Sequence, residues 1–159
     1  MSIPSRYSIA IHILSLLEKE EGFSSSSQIL ADSIGTNPVV VRSIMGKLKK
    51  AGLLESKQGI AGARLSSPPE QIRLLQIYKA VETPAPLFSL HEKPNPKCPV
   101  GRKIQGALAG IFLEAQAAME DKLAEFTLAD VLSHLDVDKK KELKFFNLTS
   151  FIRYPTCHR

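Results

Sequence analysis

The sequence predicts a mainly α-helical chain with one small β-hairpin and one helix much longer than the others. Three observations carry that prediction. Apolar residues recur at helical spacing over residues 5–20, 36–50 and 99–126. Two short β-type runs flank a glycine-containing turn at 59–62. Prolines at 68, 69, 84, 86, 94 and 96 punctuate the rest.

The first helix is SRYSIAIHILSLLEKE, residues 5–20, apolar around most of its circumference and so expected to be largely buried. His12 lies within it with no other ligand type nearby. The serines at 24–27 offer N-caps for a short second helix, with Ile29, Leu30 and Ile34 on its apolar face and Gly35 at its end. Thr36 is expected to cap a third helix, with Pro38 in its first turn and Ala51-Gly52 at its end. Leu54–Lys57 and Ala63–Ser66 read as two short strands, with Lys57, Gln58 and Arg64 at the tip or flanks. A fourth helix spans roughly 70–82, offering Ile72, Leu75, Ile77, Tyr78 and Val81 for packing. From Pro99 to about Phe126 runs the long helix, about 40 Å at 1.5 Å per residue. Ile104, Leu108, Ile111, Phe112, Ala115, Met119 and Leu123 form its apolar repeat. That length exceeds what a small globule covers, so the repeat is expected to pair with a second copy of the chain. Thr127 and Asp130 make a T-x-x-D cap for a last helix, LADVLSHL.

Composition excludes several classes. Apolar residues are 43% of the 159, enough for a core. Aromatics are 6% with no tryptophan, which disfavours stacking platforms for single strands. The two cysteines, Cys98 and Cys157, form neither a disulfide framework nor a CxxC pair. No apolar run has membrane-spanning length and no leader pattern opens the chain, so a cytoplasmic protein is expected. His12, His91, His134 and His158 are scattered, without HExxH or a nucleophile motif, so no enzyme is expected.

Charge placement is more informative. Arg42, Lys47, Lys49, Lys50, Lys57 and Arg64 face a single acid, Glu55, across residues 42–64. That segment carries the whole net charge of +5, a distribution suited to a polyanion. On the third helix Val41, Ile44, Met45 and Leu48 share the core side. Val39, Arg42, Ser43, Gly46, Lys47 and Lys50 share the other, and no acid interrupts them.

Three helices followed by a hairpin is the order of a winged helix-turn-helix. Counting Ser27 as first, Ala31 is fifth and Gly35 ninth, with Leu30, Ile34, Val41 and Ile44 in the apolar slots. This resembles the helix-turn-helix signature, in which a small residue lets the helices approach and glycine permits the turn. In that motif the second helix enters the major groove, and here it carries the basic face. Double-stranded DNA is therefore the expected partner. Ser26, Thr36, Asn37, Pro38, Val39, Arg42 and Ser43 are candidates for the DNA side. Asn37 suits adenine, Arg42 guanine and Val39 a thymine methyl. Lys47, Lys50, Lys57 and Arg64 suit phosphates. A winged helix that binds protein instead is the alternative, but it would not need an acid-free basic face.

SRYSIAIHIL, KLKKAGLL, GIAGARLS, PPEQIRLLQIYKAVE and FTLADVL together resemble the IscR/NsrR/CymR (Rrf2) family of bacterial transcription regulators, over residues 1 to about 135. The HEKPNPKCPVG loop resembles the YwnA-type branch. The resemblance implies a homodimer with a long dimerisation helix that represses at palindromic operators. It also places Ser5, Arg6 and Tyr7 near DNA. It divides the chain into a DNA-binding domain (1–83), a Pro-rich sensor-type loop (84–98), a dimerisation helix with a short C-terminal helix (99–135), and a tail without an assigned role (136–159). Cluster-bearing members have three cysteines before the long helix. This chain has Cys98 alone there, so no iron–sulfur cluster or other cofactor is expected. Cys98, expected at the N-cap before Pro99 and flanked by Lys97, Arg102 and Lys103, is a candidate thiol sensor, with His91 a candidate partner.

Overall fold

A computed structural model describes residues 5–19, 26–56, 63–82 and 86–135. Lys57, Gln58, Pro84, Cys157 and the tail 136–159 lie outside the described residues. The elements are α1 (Arg6–Lys19), α2 (Ser27–Ile34), α3 (Pro38–Lys50), β1 (Leu54–Glu55), β2 (Arg64–Leu65), α4 (Leu74–Val81), α5 (Ile104–Glu125) and α6 (Leu128–Leu135), with a 3₁₀ turn at Pro69–Gln71 before α4. The architecture is mainly helical with one two-stranded antiparallel sheet, as the sequence predicts.

Local chemistry explains the element ends. Ser26 caps α2, its Oγ accepting the Ile29 N–H at 3.3 Å. Gly35 ends α2 at φ 74°, which lets both its own N–H and that of Thr36 reach the Ala31 carbonyl at 2.9 Å. The cap of α3 is Asn37 and not Thr36 as expected. Its Oδ1 accepts the Val39 N–H at 2.8 Å, and Pro38 is the first helical residue, where a missing N–H costs nothing. The hairpin pairs Leu54 with Leu65 and Glu55 with Arg64. The fourth helix starts later than expected because Ile72 and Arg73 are extended, and the Gln76 side chain caps the Arg73 N–H at 2.7 Å.

The core joins four helices and the root of the hairpin. Ala10, Ile13 and Leu14 of α1 meet Leu30 and Ala31 of α2, Val41, Ile44 and Leu48 of α3, and Ile77 and Val81 of α4. Leu53, Leu54 and Ile72 close the sides. Leu128 of α6 is also fully buried there, a position no sequence pattern indicated. It arrives through a short bridge: the Leu128 N–H donates to the Ile72 carbonyl at 2.8 Å, and the Leu74 N–H to the Phe126 carbonyl at 3.0 Å. The chain therefore leaves this core after α4, runs out and back along α5, and re-enters at α6. The expected T-x-x-D cap holds α6: the Thr127 N–H donates to Asp130 Oδ2 at 2.7 Å and the Asp130 N–H to Thr127 Oγ1 at 3.3 Å. The Thr127 backbone and hydroxyl bonds hold the Asp130 carboxyl below its ordinary range.

The long helix is shorter than expected. It begins at Ile104 and not at Pro99, and residues 96–103 form successive turns. The Cys98 N–H bonds the Asn95 carbonyl at 3.1 Å, and a side chain at Gly101 would collide with that same carbonyl. This close approach fixes the turn, and the N-cap of α5 is Lys103 and not Cys98, which sits half-buried in the turn before it.

Gly35 has open space where a Cβ would sit, so its requirement is purely conformational. Gly35→Ala should lower the unfolding free energy by about 1–2 kcal/mol, read from the urea midpoint.

Candidate nucleic-acid interface

The exposed side of α3 is built by burial of the opposite side. Val41, Ile44 and Leu48 are fixed in the core, which turns Val39, Arg42, Ser43, Gly46 and Lys50 outward. Val39 is 61% exposed, an unusual place for a large aliphatic. Nothing stands over Gly46, so another backbone could approach closely there. Arg42 Nη1 donates to Ser27 Oγ at 3.2 Å and ties the face to the start of α2. Arg64 on the hairpin pairs with Glu55 through Nη2 and Nε, both at 2.6 Å. Lys49 Nζ donates to Ser56 Oγ and braces the hairpin against α3. Ser5 and Arg6 are exposed at the start of α1.

Two expected DNA-side residues, Lys47 and Tyr7, are engaged within the fold. Lys47 is half-buried, and its ammonium donates to the Val81 carbonyl at 2.7 Å. It is spent on the C-terminus of α4, whose unpaired carbonyls and negative dipole end favour a cation. Tyr7 turns inward. Its hydroxyl donates to the Leu74 carbonyl at 3.2 Å and its ring meets Tyr78 edge-on at 5.4 Å. Asn37 is exposed, and one lone pair of its side-chain oxygen accepts the Val39 N–H of the helix cap.

The seven-residue apolar repeat of α5 is divided. Ile104, Leu108, Phe112, Met119 and Leu123 are half-buried against their own chain, while Ile111 and Ala115 point outward. Phe112 packs on Phe88 at 4.9 Å between centroids, and Lys79 pairs with Glu120 at 3.0 Å. No α5 residue is fully buried. His91 holds the helix through its backbone carbonyl, which accepts from Gln105 Nε2, and no hydrogen bond joins its ring to Cys98 among the described residues.

Burial raises the Tyr7 hydroxyl from 10.0 to about 12, with the neighbouring Tyr78 adding to the effect. A raised acid in the folded state stabilises the fold below its unfolded value. That contribution is lost as pH climbs from 10.0 towards about 12. Tyr7→Phe should therefore show a weaker alkaline decline in stability than wild type. At neutral pH it should cost about 0.5–1.5 kcal/mol for the lost hydrogen bond. Urea melts at pH 7, 10 and 11.5 check both.

With this geometry in place, the chain can be set beside known proteins. The Rrf2 profile, described as an iron-dependent transcriptional regulator, matches residues 3–134. The HTH-type transcriptional regulator YwnA of Bacillus subtilis is 53% identical over 133 residues, covering 84% of this chain and 98% of that protein. A crystal structure of a protein described as DNA-binding is 48% identical, with a TM-score of 0.67 over 80% of this chain and 99% of its own. The global cysteine regulator CymR of B. subtilis has the same fold at 21% identity, with a TM-score of 0.62 over 84% of this chain and 98% of its own. The profile's description names iron. Among the described residues no three His, Cys, Asp or Glu side chains gather as a metal site, and Cys98 is the one cysteine. No helix among the described residues is long and apolar enough to cross a membrane. On the extent of these matches, the chain belongs to the Rrf2 family of transcriptional regulators.

Proposed function

We propose that the protein is a cytoplasmic, non-enzymatic repressor that binds palindromic operator DNA as a homodimer, without a resident iron–sulfur cluster. The observation that carries the reading is the acid-free outer face of α3. Arg42, Ser43, Gly46 and Lys50 lie along it and Val39 stands exposed at its start. Exposed Arg64 on the adjacent hairpin extends the basic surface. Major-groove entry by such a helix puts Val39, Arg42 and Ser43 at base edges. Lys50 and Arg64 reach flanking phosphates. Arg64 exchanges its Glu55 partner for a phosphate, and both states are exposed, so the exchange is cheap.

Dimerisation through α5 follows from its uncovered surface. The helix has 22 residues, about 33 Å long, and leaves Ile111 60% and Leu113 70% exposed. A second copy supplies a matching apolar face by symmetry and presents two α3 helices to two half-sites.

The deciding experiment is a gel-shift titration with DNA from the protein's own promoter region, alongside sedimentation equilibrium. Specific retardation over random duplex and a mass of two chains are expected. Binding no tighter than to random duplex, or a monomer at micromolar concentration, overturns the reading. The face assignments have a separate readout in salt dependence. Arg64→Ala and Lys50→Ala should each lower the slope of log affinity against log salt by about 1. Lys47→Met should leave that slope unchanged and lower the unfolding free energy.

A further inference from the structure

Between α4, residues 86–90 and α5 lies a cavity of about 920 Å³, a size that takes a drug-sized molecule. Its walls are mainly apolar: Tyr78 from α4, Phe88 and Leu90 from the connecting loop, Phe112 and Leu113 from α5. The polar groups on one side are already engaged with one another. Lys79 pairs with Glu120, Gln116 Nε2 donates to Glu120 Oε1 at 3.0 Å, and Gln116 Oε1 accepts the Leu87 N–H at 3.2 Å. The Gln116 bond and Lys79 hold the Glu120 carboxyl below its ordinary range. Glu82 is different. Its side chain also lines the cavity, and its Oε1 is buried with no hydrogen-bond partner among the described residues. Folded proteins leave few such oxygens. Lys79, the cation that also lines this cavity, is engaged by Glu120, which leaves the Glu82 carboxyl with an unmatched acceptor beside an apolar, aromatic-lined space.

We propose that this cavity binds a small, mainly apolar molecule carrying a protonated amine, and that its occupation regulates DNA binding. The ammonium donates to Glu82 and lies among the rings of Tyr78, Phe88 and Phe112, whose faces attract a cation. The apolar body fills the space between the loop and α5. The route to DNA is short. Val81, the residue before Glu82, is the one whose carbonyl receives Lys47 from α3. A ligand held by Glu82 therefore acts on the same helix end that holds the basic helix. Only this regulatory half rests on the DNA-binding reading.

Dansylcadaverine, an aromatic primary amine with environment-sensitive fluorescence, is the test probe, and neutral dansylamide is its control. The full-length protein should blue-shift and saturate with dansylcadaverine and bind dansylamide about tenfold more weakly. Glu82→Gln should remove that preference, and Ala109→Trp, which fills the cavity, should abolish binding of both. Equal affinity for the two probes, or a preference that survives Glu82→Gln, overturns the site. Saturating dansylcadaverine should change operator affinity of the wild type at least about fivefold and leave that of Ala109→Trp unchanged. An unchanged wild-type affinity overturns the regulatory half. A protein that shifts no DNA even without probe defeats the DNA-binding reading, and the fluorescence titration decides the cavity independently of it.

Discussion

The placement of α3 is the constraint on which the rest depends. The helix must be held firmly on one side and left bare on the other. Val41, Ile44 and Leu48 are buried against α1 and α4, and each such side chain contributes about 1.5–3 kcal/mol. The Lys47 bond to the Val81 carbonyl adds an interaction of about 1.5–3 kcal/mol, as a bond to a charged group. Apolar burial dominates the sum and sets how the helix rolls. The ammonium sets where it sits along α4. With both satisfied, Val39, Arg42, Ser43 and Lys50 point outward as a consequence, and no further contact is needed to aim them.

The same helix end connects the two parts of the chain. Val81 closes α4, Glu82 follows it, and the loop beyond is tied to α5 through Leu87 and Gln116 and through Phe88 and Phe112. At its other end α5 runs into α6, whose Leu128 is in the core and whose approach is pinned by Ile72 and Leu74. The long helix is thus tied to the loop at Phe112 and Gln116, to α4 at Glu120 and to the core through α6, while contributing no fully buried residue of its own. An element half-covered on one side and open on the other, with Ile111 and Leu113 exposed, suits contact with a second chain. It also suits relaying a change in the cavity beside it to α3.

The α1–α4 body was largely legible in the sequence because its signals are local. Helical spacing, the serine cap and the left-handed glycine each act within one or two turns, as does the T-x-x-D pair that starts α6. The hairpin was legible from a glycine turn between β-type runs. The start of the long helix was not, because Pro99 is as suitable for a turn as for a first helical position. The backbone contact between Asn95 and Gly101 decided for the turn. Asn37 displaced Thr36 as the cap because Pro38 already fixed the first helical residue. The apolar repeat on α5 reads as one stripe in the sequence, and the fold divides it, with Ile111 and Ala115 outward. That its own chain half-covers five of the seven positions depends on segments far off in sequence, among them α4 and, at Phe112, Phe88.

By itself the sequence determined the helical periods, the winged order of elements, and the concentration of positive charge on residues 42–64, because these follow from neighbours along the chain. Only the tertiary structure decided which of those charges are free. Lys47 and Lys50 are equivalent as letters on a helix, but one finds a carbonyl at the end of α4 and the other finds none among the described residues. Tyr7 turned inward and Glu82 was left without a donor for the same reason. Whether a polar group is satisfied depends on what the fold brings beside it.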